Sequence, residues 1–546
     1  MLKQFFNDIL KIQPSFRSFL GDMRTNEEYE NIASAEYKKS WEDLIKKYKT
    51  ALNKDNAKNT IQLDDMTIRW IIESEHELLK FPDEWMYMTS YGNPIFDFIV
   101  EDTYIYPLKM SRDITDLISR TRKRIPFIKD VMKEMKDGIR NDLTIPKMVC
   151  KKLIHQMEYF MNNHLYYIKI PKHLDSVEYT KVVDTEYVPV LYEFLEFLKV
   201  HVKSCRGSIG LCHVKNGKDM YRTIIKSSTT LDITPEEIYE YGKQEIKNLY
   251  KELNTFKKDL LISFSIKDSN ISNRALFKNI TSRQSEYFDK TSEIIKAFKQ
   301  TQEKLRKTII PKYFGYQVKK YGVFPIPKLV EGSSPGAYYQ PPSMASKTVT
   351  KTERLGSIFV NTISFKRTPK YTVDVLSIHE GIPGHHYQYQ YMKQHKLPLY
   401  RIYTGDNDAY TEGWALYCEG FIDTKDPKVL FGKWIYSMLR TVRLVIDTGI
   451  HYYGWSYKKA LNYMKRHIPM ENEEIIPELE RYICDPGQAV SYKIGERFFL
   501  EEQKKYLDAK YGTIKDFHHE VLECGPIPLG VLKYKLHHRM ACNNKN

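Results

Sequence analysis

The sequence lacks the features of secreted disulfide-rich proteins and of membrane-spanning proteins. Its seven cysteines are odd in number, lie far apart and include no CxxC pair, which is typical of reduced thiols rather than of a disulfide framework. No apolar run approaches the roughly 18 to 20 residues of a membrane span. The first residues lack the continuous apolar segment of a signal peptide. We therefore predict a cytoplasmic protein with no membrane partner.

Internal repeats and low-complexity linkers are also absent, although the 546 residues exceed the usual size of one hydrophobic core. The hydrophobic fraction of 42% and the aromatic fraction of 13% are sufficient for a packed core, which excludes wholesale disorder. We predict two lobes that form one continuous unit, a helical lobe over residues 1–310 and a second lobe over residues 311–546.

Acidic residues are outnumbered, with 69 Asp and Glu against 84 Lys and Arg, and the net charge is +15. A nucleic-acid-binding protein is one interpretation of this excess. The basic residues are spread among acidic ones, however, and the densest basic run, residues 119–124, contains no aromatic residue for base stacking. A lysine-rich solvated surface explains the charge better, so we predict no nucleic-acid partner.

The secondary-structure pattern is mainly helical. Apolar residues recur at helical spacing over residues 37–52 and 114–135. Residues 25–28 (TNEE) and 234–237 (TPEE) have the capping-box pattern of a helix start, and the second helix should run to about Leu253.

A different pattern occupies the stretch from Phe314 to Thr362, which is rich in Pro, Gly and Ser. Residues 336–340 and 356–361 predict two short strands joined by a loop that begins at Pro341. Helical patterns then resume to the end of the chain. The sequence thus predicts a mainly α fold with a small β-sheet.

The most informative run is residues 379–386, which reads HEGIPGHH. Two histidines, a glutamate after the first and a later glutamate are the components of a catalytic zinc site. In the common arrangement the histidines are four residues apart on one helix, and both rings reach one ion. Here the second histidine is His385 or His386. Six residues of unbroken helix rise about 9 Å, too far for two ligands of one zinc.

Pro383 and Gly384 offer a solution, because proline removes a backbone donor and glycine tolerates unusual torsions. If they break or widen the helix, His385 returns to the position of the usual second ligand. A helix that simply ends at Ile382, followed by surface histidines, is the alternative interpretation.

A second acidic segment, residues 410–419 (YTEGWALYCE), follows. Glu412 comes 27 residues after His385, a suitable distance for a ligand on the next antiparallel helix, and it shares a helix face with Glu419. Carboxylates among apolar residues such as Trp414 are costly to bury unless they are paired or bound to a metal. The segment therefore adds candidate ligands, although an ordinary exposed carboxylate is the alternative.

These two motifs resemble those of a large, mainly bacterial family of domains of unknown function, which is grouped with the gluzincin metallopeptidases. That group includes angiotensin-converting enzyme, thimet-type oligopeptidases and thermostable carboxypeptidases. The likeness extends over most of the chain, with further matches at residues 135–139, 146–147, 234–238, 356–362, 440–451, 455, 481–482, 486–489, 492–495 and 525–529.

The resemblance implies a two-lobed, zincin-like helical fold with a deep cleft, a small sheet at its edge and one Zn²⁺ at its floor. It implies His379, His385 and Glu412 as zinc ligands and Glu380 as the catalytic base. The further candidates for the metal or its surroundings are His386 and Glu419.

Such a reaction also needs a hydrogen-bond donor for the developing oxyanion. Arg481 and Tyr482 resemble the Arg-Tyr pair that supplies a tyrosine in the converting-enzyme relatives, which makes Tyr482 the first candidate. Tyr492 and His451 are the other candidates. The alternative is a packing role, since the chain contains 41 Tyr and a single histidine in an apolar helix is often structural.

Substrate contacts are predicted from residue chemistry, because a guanidinium matches a carboxylate with two hydrogen bonds. The alternative for each basic residue is an ion pair with a nearby acid. Strand 356–361 would pair its edge with the peptide main chain, as in many zincins. The candidates for substrate binding are Arg440, Arg443, Arg481, Gln488 and Lys493.

Together these patterns predict a zinc-dependent metallopeptidase for short peptides, of the carboxypeptidase or oligopeptidase type. A catalytically inactive peptide-binding protein of the same fold is an alternative, whose mark would be the loss of Glu380. A basic nucleic-acid-binding protein is the other alternative.

Overall fold

Helices form most of the protein. The structure is a computed structural model that describes residues 1–54, 62–82, 86, 88–326, 336–342, 355–362, 368–405 and 407–543. The helices before residue 310 are α1 (Leu2–Ile12), α2 (Pro14–Phe19), α3 (Ala35–Lys54), α4 (Leu63–Leu78), α5 (Pro94–Tyr104), α6 (Ser111–Arg140), α7 (Lys147–Asn162), α8 (Val177–Val182), α9 (Val188–His201), α10 (Gly217–Thr229), α11 (Pro235–Ser263), α12 (Asn273–Thr281) and α13 (Thr291–Ile309).

The second half adds more helices and a small sheet, so the predicted mainly α fold is confirmed. No described helix combines the length and apolar composition needed to cross a membrane. The later helices are α14 (Val373–Leu376), α15 (His385–Gln394), α16 (Leu399–Tyr403), α17 (Asp408–Glu419), α18 (Pro427–His451), α19 (Tyr457–His467), α20 (Asn472–Cys484), α21 (Gln488–Asp508), α22 (Ile514–Leu522) and α23 (Leu529–Asn543). The strands are β1 (Gly322–Pro325), β2 (Ala337–Gln340) and β3 (Ser357–Val360).

The TPEE pattern starts α11 as predicted. Thr234 Oγ1 accepts a hydrogen bond from the N–H of Glu237 at 3.2 Å, and the Glu237 carboxylate accepts one from the N–H of Thr234 at 2.8 Å. These two bonds satisfy backbone donors that have no partner within the helix. α11 continues to Ser263, beyond the predicted end near Leu253, because its apolar face stays buried along that length.

The TNEE pattern, by contrast, does not start a helix, and that prediction is wrong. Thr25 ends a short 3₁₀ turn, Met23–Thr25. α3 begins at Ala35, where the Ser34 hydroxyl accepts a hydrogen bond from the N–H of Tyr37 at 3.1 Å. The cap is therefore the serine directly before the apolar face rather than the earlier threonine.

The sheet contains both predicted strands and one that the sequence did not separate from its surroundings, β1. β3 lies in the middle, parallel to β1 and antiparallel to β2. The prediction that strand 356–361 is an edge is therefore wrong, because both of its sides bond to neighbouring strands. The loop expected after Pro341 falls mainly on residues 343–354, which lie outside the described residues.

One hydrophobic cluster runs through both halves of the chain, from Ala33 to Leu536. α11 of the first half packs closely on α18 of the second: a Cβ at Gly242 would lie 2.8 Å from the Cβ of Leu444. These contacts cross the boundary predicted at residue 310. The division into two lobes stays a prediction.

α17, which carries Glu412 and Glu419, packs against α21 through two glycines. A Cβ at Gly413 would lie 2.5 Å from the Cα of Gly495, and a Cβ at Gly495 would lie 2.0 Å from the carbonyl oxygen of Ala409. Atoms do not approach so closely, so the two helix backbones touch directly at these positions. The contact fixes α17, and with it Glu412, against a long buried helix.

Replacing Gly495 by Ala should force α17 and α21 apart. We expect the free energy of unfolding to fall by about 1–3 kcal/mol or more, the range for overpacked cores. Urea-induced unfolding measures this change. Gly207→Ala is the matched control, because a Cβ there meets no atom within 4 Å; its effect should stay within about 0.5 kcal/mol. An unchanged Gly495→Ala protein would contradict the direct backbone contact.

Candidate metal centre

The histidine motif lies where one helix breaks and another begins. α14 ends at Leu376 and continues as a π-helical turn, Ser377–Gly381. The backbone of Ile382 is then extended, with φ −121° and ψ 128°, before α15 begins at His385. The interruption predicted from the Pro-Gly pair is present, and the π turn is a feature that occurs frequently at functional sites.

Gly384 allows the chain to turn sharply between the π-helical turn and α15. Its N–H donates to the carbonyl of Ile378 at 2.9 Å, and a Cβ at this position would lie 2.0 Å from the carbonyl oxygen of His379. No larger residue fits in this conformation. Trp414 Nε1 donates to the carbonyl of Pro383 at 3.0 Å, which ties the break to α17.

Three side chains converge at this break. The ring centroids of His379 and His385 are 4.9 Å apart, and Nε2 of each ring lies 3.3 Å from the same oxygen, Oε2 of Glu412. Ligand atoms bound tetrahedrally to zinc at about 2.0–2.1 Å are about 3.3–3.4 Å apart. The residues present therefore fit zinc. Among the described residues no other group of His, Cys, Asp or Glu has three ligand atoms within 4.8 Å of one another.

Glu419 orients His379 from the opposite side. Its Oε1 lies 2.9 Å from Nδ1 of His379, which leaves Nε2 to face Glu412. A carboxylate behind a ligating histidine is the usual support in zinc sites, because it fixes the ring. Burial lowers the pKa of His379, but the hydrogen bonds with Glu412 and Glu419 outweigh it and raise that pKa to about 9.

The two other carboxyl groups of the motif have opposite environments. Burial raises the pKa of Glu412, but the positive charges of His385 and His379 and their hydrogen bonds dominate and hold it well below its usual range. For Glu380, burial dominates and raises the pKa. Glu380 follows His379 on the π turn and lines the cavity without joining the three-ligand group.

His386 points away from this group. Its Nε2 lies 2.7 Å from the carbonyl oxygen of Lys319, and its Nδ1 lies 3.0 Å from the hydroxyl of Tyr339 on β2. Burial lowers the pKa of His386 to about 4. The structure thus brings His385 to the cluster and uses His386 to connect α15 with the sheet.

The cluster lines a cavity of about 690 Å³. The walls come from both halves of the chain, and the ion pair between Lys152 of α7 and Glu480 of α20 bridges them. β2 contributes one wall and α18, α20 and α21 contribute others. The residues that line it include Ser90, Tyr91, Lys152, Gln156, Ala337, Tyr338, Tyr339, His379, Glu380, His385, Glu412, Tyr436, Arg440, Arg443, Glu478, Glu480, Arg481 and Tyr492.

Tyr492 is the candidate tyrosine that faces this cavity. Its ring is parallel to that of His379, with 6.5 Å between centroids. Its hydroxyl oxygen accepts a hydrogen bond from Nη2 of Arg481 at 3.0 Å. Since the oxygen is used as the acceptor, the O–H proton can be donated to a bound molecule.

Tyr482, the first candidate from the sequence, does not line the cavity. Its buried hydroxyl accepts from Nε of Arg443 at 2.9 Å and donates to Oε2 of Glu478 at 2.7 Å. Neighbouring residues on a helix diverge by about 100°, so Arg481 faces the cavity while Tyr482 faces α18. The structure therefore places Tyr492, and not Tyr482, in the cavity wall.

The predicted substrate-binding residues divide into two groups. Arg440, Arg443 and Arg481 line the cavity. Gln488 lies behind Arg481 and accepts its Nη2 hydrogen bond at 2.6 Å. Lys493 is buried, forms an ion pair with Glu496 and is not among the residues that line the cavity.

His451 is likewise structural. Its Nδ1 accepts from the N–H of Leu211 at 3.2 Å, and its Nε2 lies 2.8 Å from the carbonyl oxygen of Tyr482. Both ring nitrogens are thus occupied by backbone, and the ring has no exposed surface. Burial lowers the pKa of His451 to about 4. The structure thus places His451 in the packed interior, in agreement with the alternative interpretation given for it above.

Two parts of the cavity were missed from the sequence. Glu478 bonds Arg443 at 2.8 Å, and its position three residues before Arg481 on one helix face was a usable signal. Lys152 and Glu480 had no such signal, because nothing local relates residues so far apart in the chain.

The chain belongs to the family described as "Bacterial protein of unknown function (DUF885)", which matches residues 14–536. The mainly bacterial family of unknown function inferred from the motifs is thereby confirmed. No curated protein matches the chain significantly.

Two solved structures share the fold. One is named a "putative lipoprotein" from Colwellia psychrerythraea, with 18% identity, 99% of each chain covered and a TM-score of 0.83. The other is named a "putative lipoprotein of unknown function" from Shewanella oneidensis, with 16% identity, 98% of each chain covered and a TM-score of 0.72. At these identities the likeness concerns the fold alone.

The buried neutral state of His451 predicts a loss of stability in acid. In the unfolded chain this histidine has a pKa of about 6.5 and is protonated below that pH, whereas in the folded protein its pKa is about 4. As the pH falls from 6.5 to 4, the free energy of unfolding should therefore fall by about 1.4 kcal/mol per pH unit because of this group. Urea unfolding at several pH values checks it.

The control for this test is His451→Gln, whose amide can accept from Leu211 and donate to Tyr482 without titrating. Its slope of stability against pH should be smaller than that of the wild type by about 1.4 kcal/mol per unit between pH 4 and pH 6.5. Identical slopes would show that His451 is not held neutral in the folded protein.

Proposed function

We propose that the protein is a zinc-dependent metallopeptidase that hydrolyses short peptides. The observation that carries the proposal is the arrangement of His379, His385 and Glu412, with both imidazole nitrogens 3.3 Å from one carboxylate oxygen. Glu380 lies beside them in the cavity lining. Three protein ligands are typical of catalytic zinc sites, which leave one position for water or substrate, whereas structural sites use four.

The resemblance to the gluzincin metallopeptidases supports the same function. In this chain the order of His379, Glu380, a second histidine and a later glutamate corresponds to ligand, base, ligand and ligand in that group. The two-lobed, zincin-like character of the fold is part of the proposal.

The chemistry follows from the groups around the cavity. Bound Zn²⁺ would polarise the carbonyl of a peptide and acidify water. The Glu380 carboxylate is placed to take a proton from the attacking water and to deliver it to the leaving amine. The Tyr492 hydroxyl, held by Arg481, is placed to donate a hydrogen bond to the oxyanion of the tetrahedral intermediate.

Cavity size favours short peptides over folded proteins. The volume of about 690 Å³ is in the range of small-molecule sites, roughly 300–1,000 Å³. The ion pair between Lys152 and Glu480 spans the two walls, and Tyr91 lies over Arg481 with 5.5 Å between the guanidinium and the ring centroid.

Location is a separate proposal. The cysteine pattern favours the cytoplasm, whereas the lipoprotein names of two structural relatives favour attachment to a membrane. We retain the cytoplasm as the prediction, and fractionation of cells that express the full natural protein distinguishes the two.

The proposed zinc site predicts that substitutions of the adjacent residues His385 and His386 have different effects on zinc content. Purified wild-type protein should contain about one Zn²⁺ per chain, and His379→Ala or His385→Ala should contain little, because two ligands do not hold the metal. His386→Ala is the matched control and should retain zinc, since His386 bonds Lys319 and Tyr339 instead. Mass-spectrometric metal analysis checks this. Full occupancy in the His379 or His385 variant would contradict the ligand set.

Glu380→Gln keeps the size of the side chain but removes the base. Zinc content should not change, because Glu380 is outside the ligand group. Hydrolysis of a mixed peptide library, followed by mass spectrometry with and without chelator, should fall by about 100-fold or more. Undiminished hydrolysis would assign the base to another residue. Peptide binding without any hydrolysis in the wild type would favour the inactive binding protein.

A further inference from the structure

We propose that Arg440 binds the C-terminal carboxylate of the substrate, so that the enzyme is a carboxypeptidase that releases single C-terminal residues. The inference rests on the proposed metallopeptidase function and adds the substrate class and the residue that recognises it.

Arg440 is a buried cation with unused donors. It is 5% exposed and lines the cavity on the same face of α18 as Tyr436 and Arg443. Within the described part of the chain, its Nε and Nη1 have no hydrogen-bond partner. A buried guanidinium without partners is costly, and an anion that enters the cavity would remove that cost.

The nearest carboxylate does not satisfy Arg440. Oε1 of Glu419 lies 3.7 Å from Nη2 of Arg440, beyond hydrogen-bond distance. The same oxygen lies 2.9 Å from Nδ1 of His379 and is therefore already used to orient that ring. Glu419 compensates the charge of Arg440 in part but leaves its donors unused.

The other two arginines of the cavity are already bonded. Arg443 donates to Tyr482 and to Glu478 at 2.9 and 2.8 Å. Arg481 donates to Gln488 and Tyr492. Arg443 Nη1 and Arg481 Nε also lack partners, but each of these arginines is held by two hydrogen bonds. Arg440 alone among the three donates no hydrogen bond to the described residues, so its guanidinium is the one of this cavity whose donors are left for an anion.

Tyr436 holds the guanidinium in position. The guanidinium carbon of Arg440 lies 4.5 Å from the centroid of the Tyr436 ring, a cation–π contact that occupies one face of the group. The N–H groups lie in the guanidinium plane, so this stacking leaves them available to a carboxylate. A planar fork of this kind suits a carboxylate better than a single ammonium does.

The distance to the metal cluster fits one residue. Arg440 and His379 contact the same oxygen of Glu419, so only one carboxylate separates the guanidinium from the ligand ring. An extended residue spans about 3.3–3.6 Å, and the proposal places one such residue between the scissile carbonyl and a carboxylate on Arg440.

The test uses zinc-loaded, full-length protein and a pool of synthetic peptides, each made with a free C-terminal carboxylate and as a C-terminal amide. Mass spectrometry should show that the acids lose single C-terminal residues. The amides should react about 10- to 100-fold more slowly, the range for charge-assisted hydrogen bonds. The pool also includes pairs of peptides in which an internal Asp or Glu is replaced by Asn or Gln. These pairs distinguish recognition of the C-terminal carboxylate from recognition of a side-chain carboxylate.

Arg440→Met keeps the length of the side chain without the charge and should abolish the difference between acids and amides, whereas Arg440→Lys should retain part of it. Arg497→Met is the matched control, because Arg497 is half-buried, lies outside the cavity lining and is ion-paired with Glu501; the acid preference of this variant should equal that of the wild type. A merely structural role of Arg440, through Glu419, would slow acids and amides equally and leave their ratio unchanged.

Binding gives a readout that does not depend on turnover. In the Glu380→Gln background, calorimetry should show the same 10- to 100-fold preference for the acid peptides, and Glu380→Gln with Arg440→Met should show none. Equal rates on acids and amides in the wild type, a preference that follows internal acidic residues, or release of longer fragments would overturn the inference while the peptidase stands. No hydrolysis of any peptide would instead overturn the proposed function.

Discussion

The return of the chain at Gly384 is the constraint on which the candidate site depends. Its N–H bonds to the carbonyl of Ile378, and no side chain fits beside the carbonyl oxygen of His379, so α15 starts against the turn that carries His379. Along a continuous helix, positions 379 and 385 would be separated by a rise of about 9 Å, and one ion could not bind both. Because the helix is broken here, both imidazole rings face one carboxylate despite the unusual spacing of the two histidines in the sequence.

The second constraint is electrostatic. Glu412, His379, Glu419 and Arg440 form a series in which each group contacts the next, at 3.3, 2.9 and 3.7 Å. Buried ions are costly unless they are paired, and the series satisfies its inner members but not the arginine at its end. The arrangement that orients the ligand ring therefore also leaves a cation with unused donors in the cavity wall. In the proposed site, one set of contacts would therefore serve both the orientation of the metal ligand and the recognition of an anion.

Sequence patterns predicted those parts that follow short-range rules: the start of α11 at Thr234, the strands near residues 337–340 and 357–360, and the chemical types that meet at the break. They failed where the orientation of a helix determines which of its side chains face the cavity. The pair Arg481 and Tyr482 indicated the cavity wall, but adjacent residues diverge by about 100°, and only the arginine faces inward. Contacts between distant segments, such as the ion pair that closes the cavity, have no local signature at all.

Functional sites need their groups within about 0.5 Å of the productive position, and the candidate ligand Glu412 is positioned by the helix that carries it. α17 is held by the backbone contact of Gly413 with Gly495, by the bond from Trp414 to the carbonyl of Pro383 and by the bond from the Tyr410 hydroxyl to α22 at 3.0 Å. Because Trp414 bonds the break itself, the two histidines and Glu412 belong to one rigid unit. The groups assigned to the substrate lie on other helices, α18, α20 and α21. Substitutions there can alter recognition without moving the ligands, whereas a change in α17 or at the break alters folding and the metal cluster together.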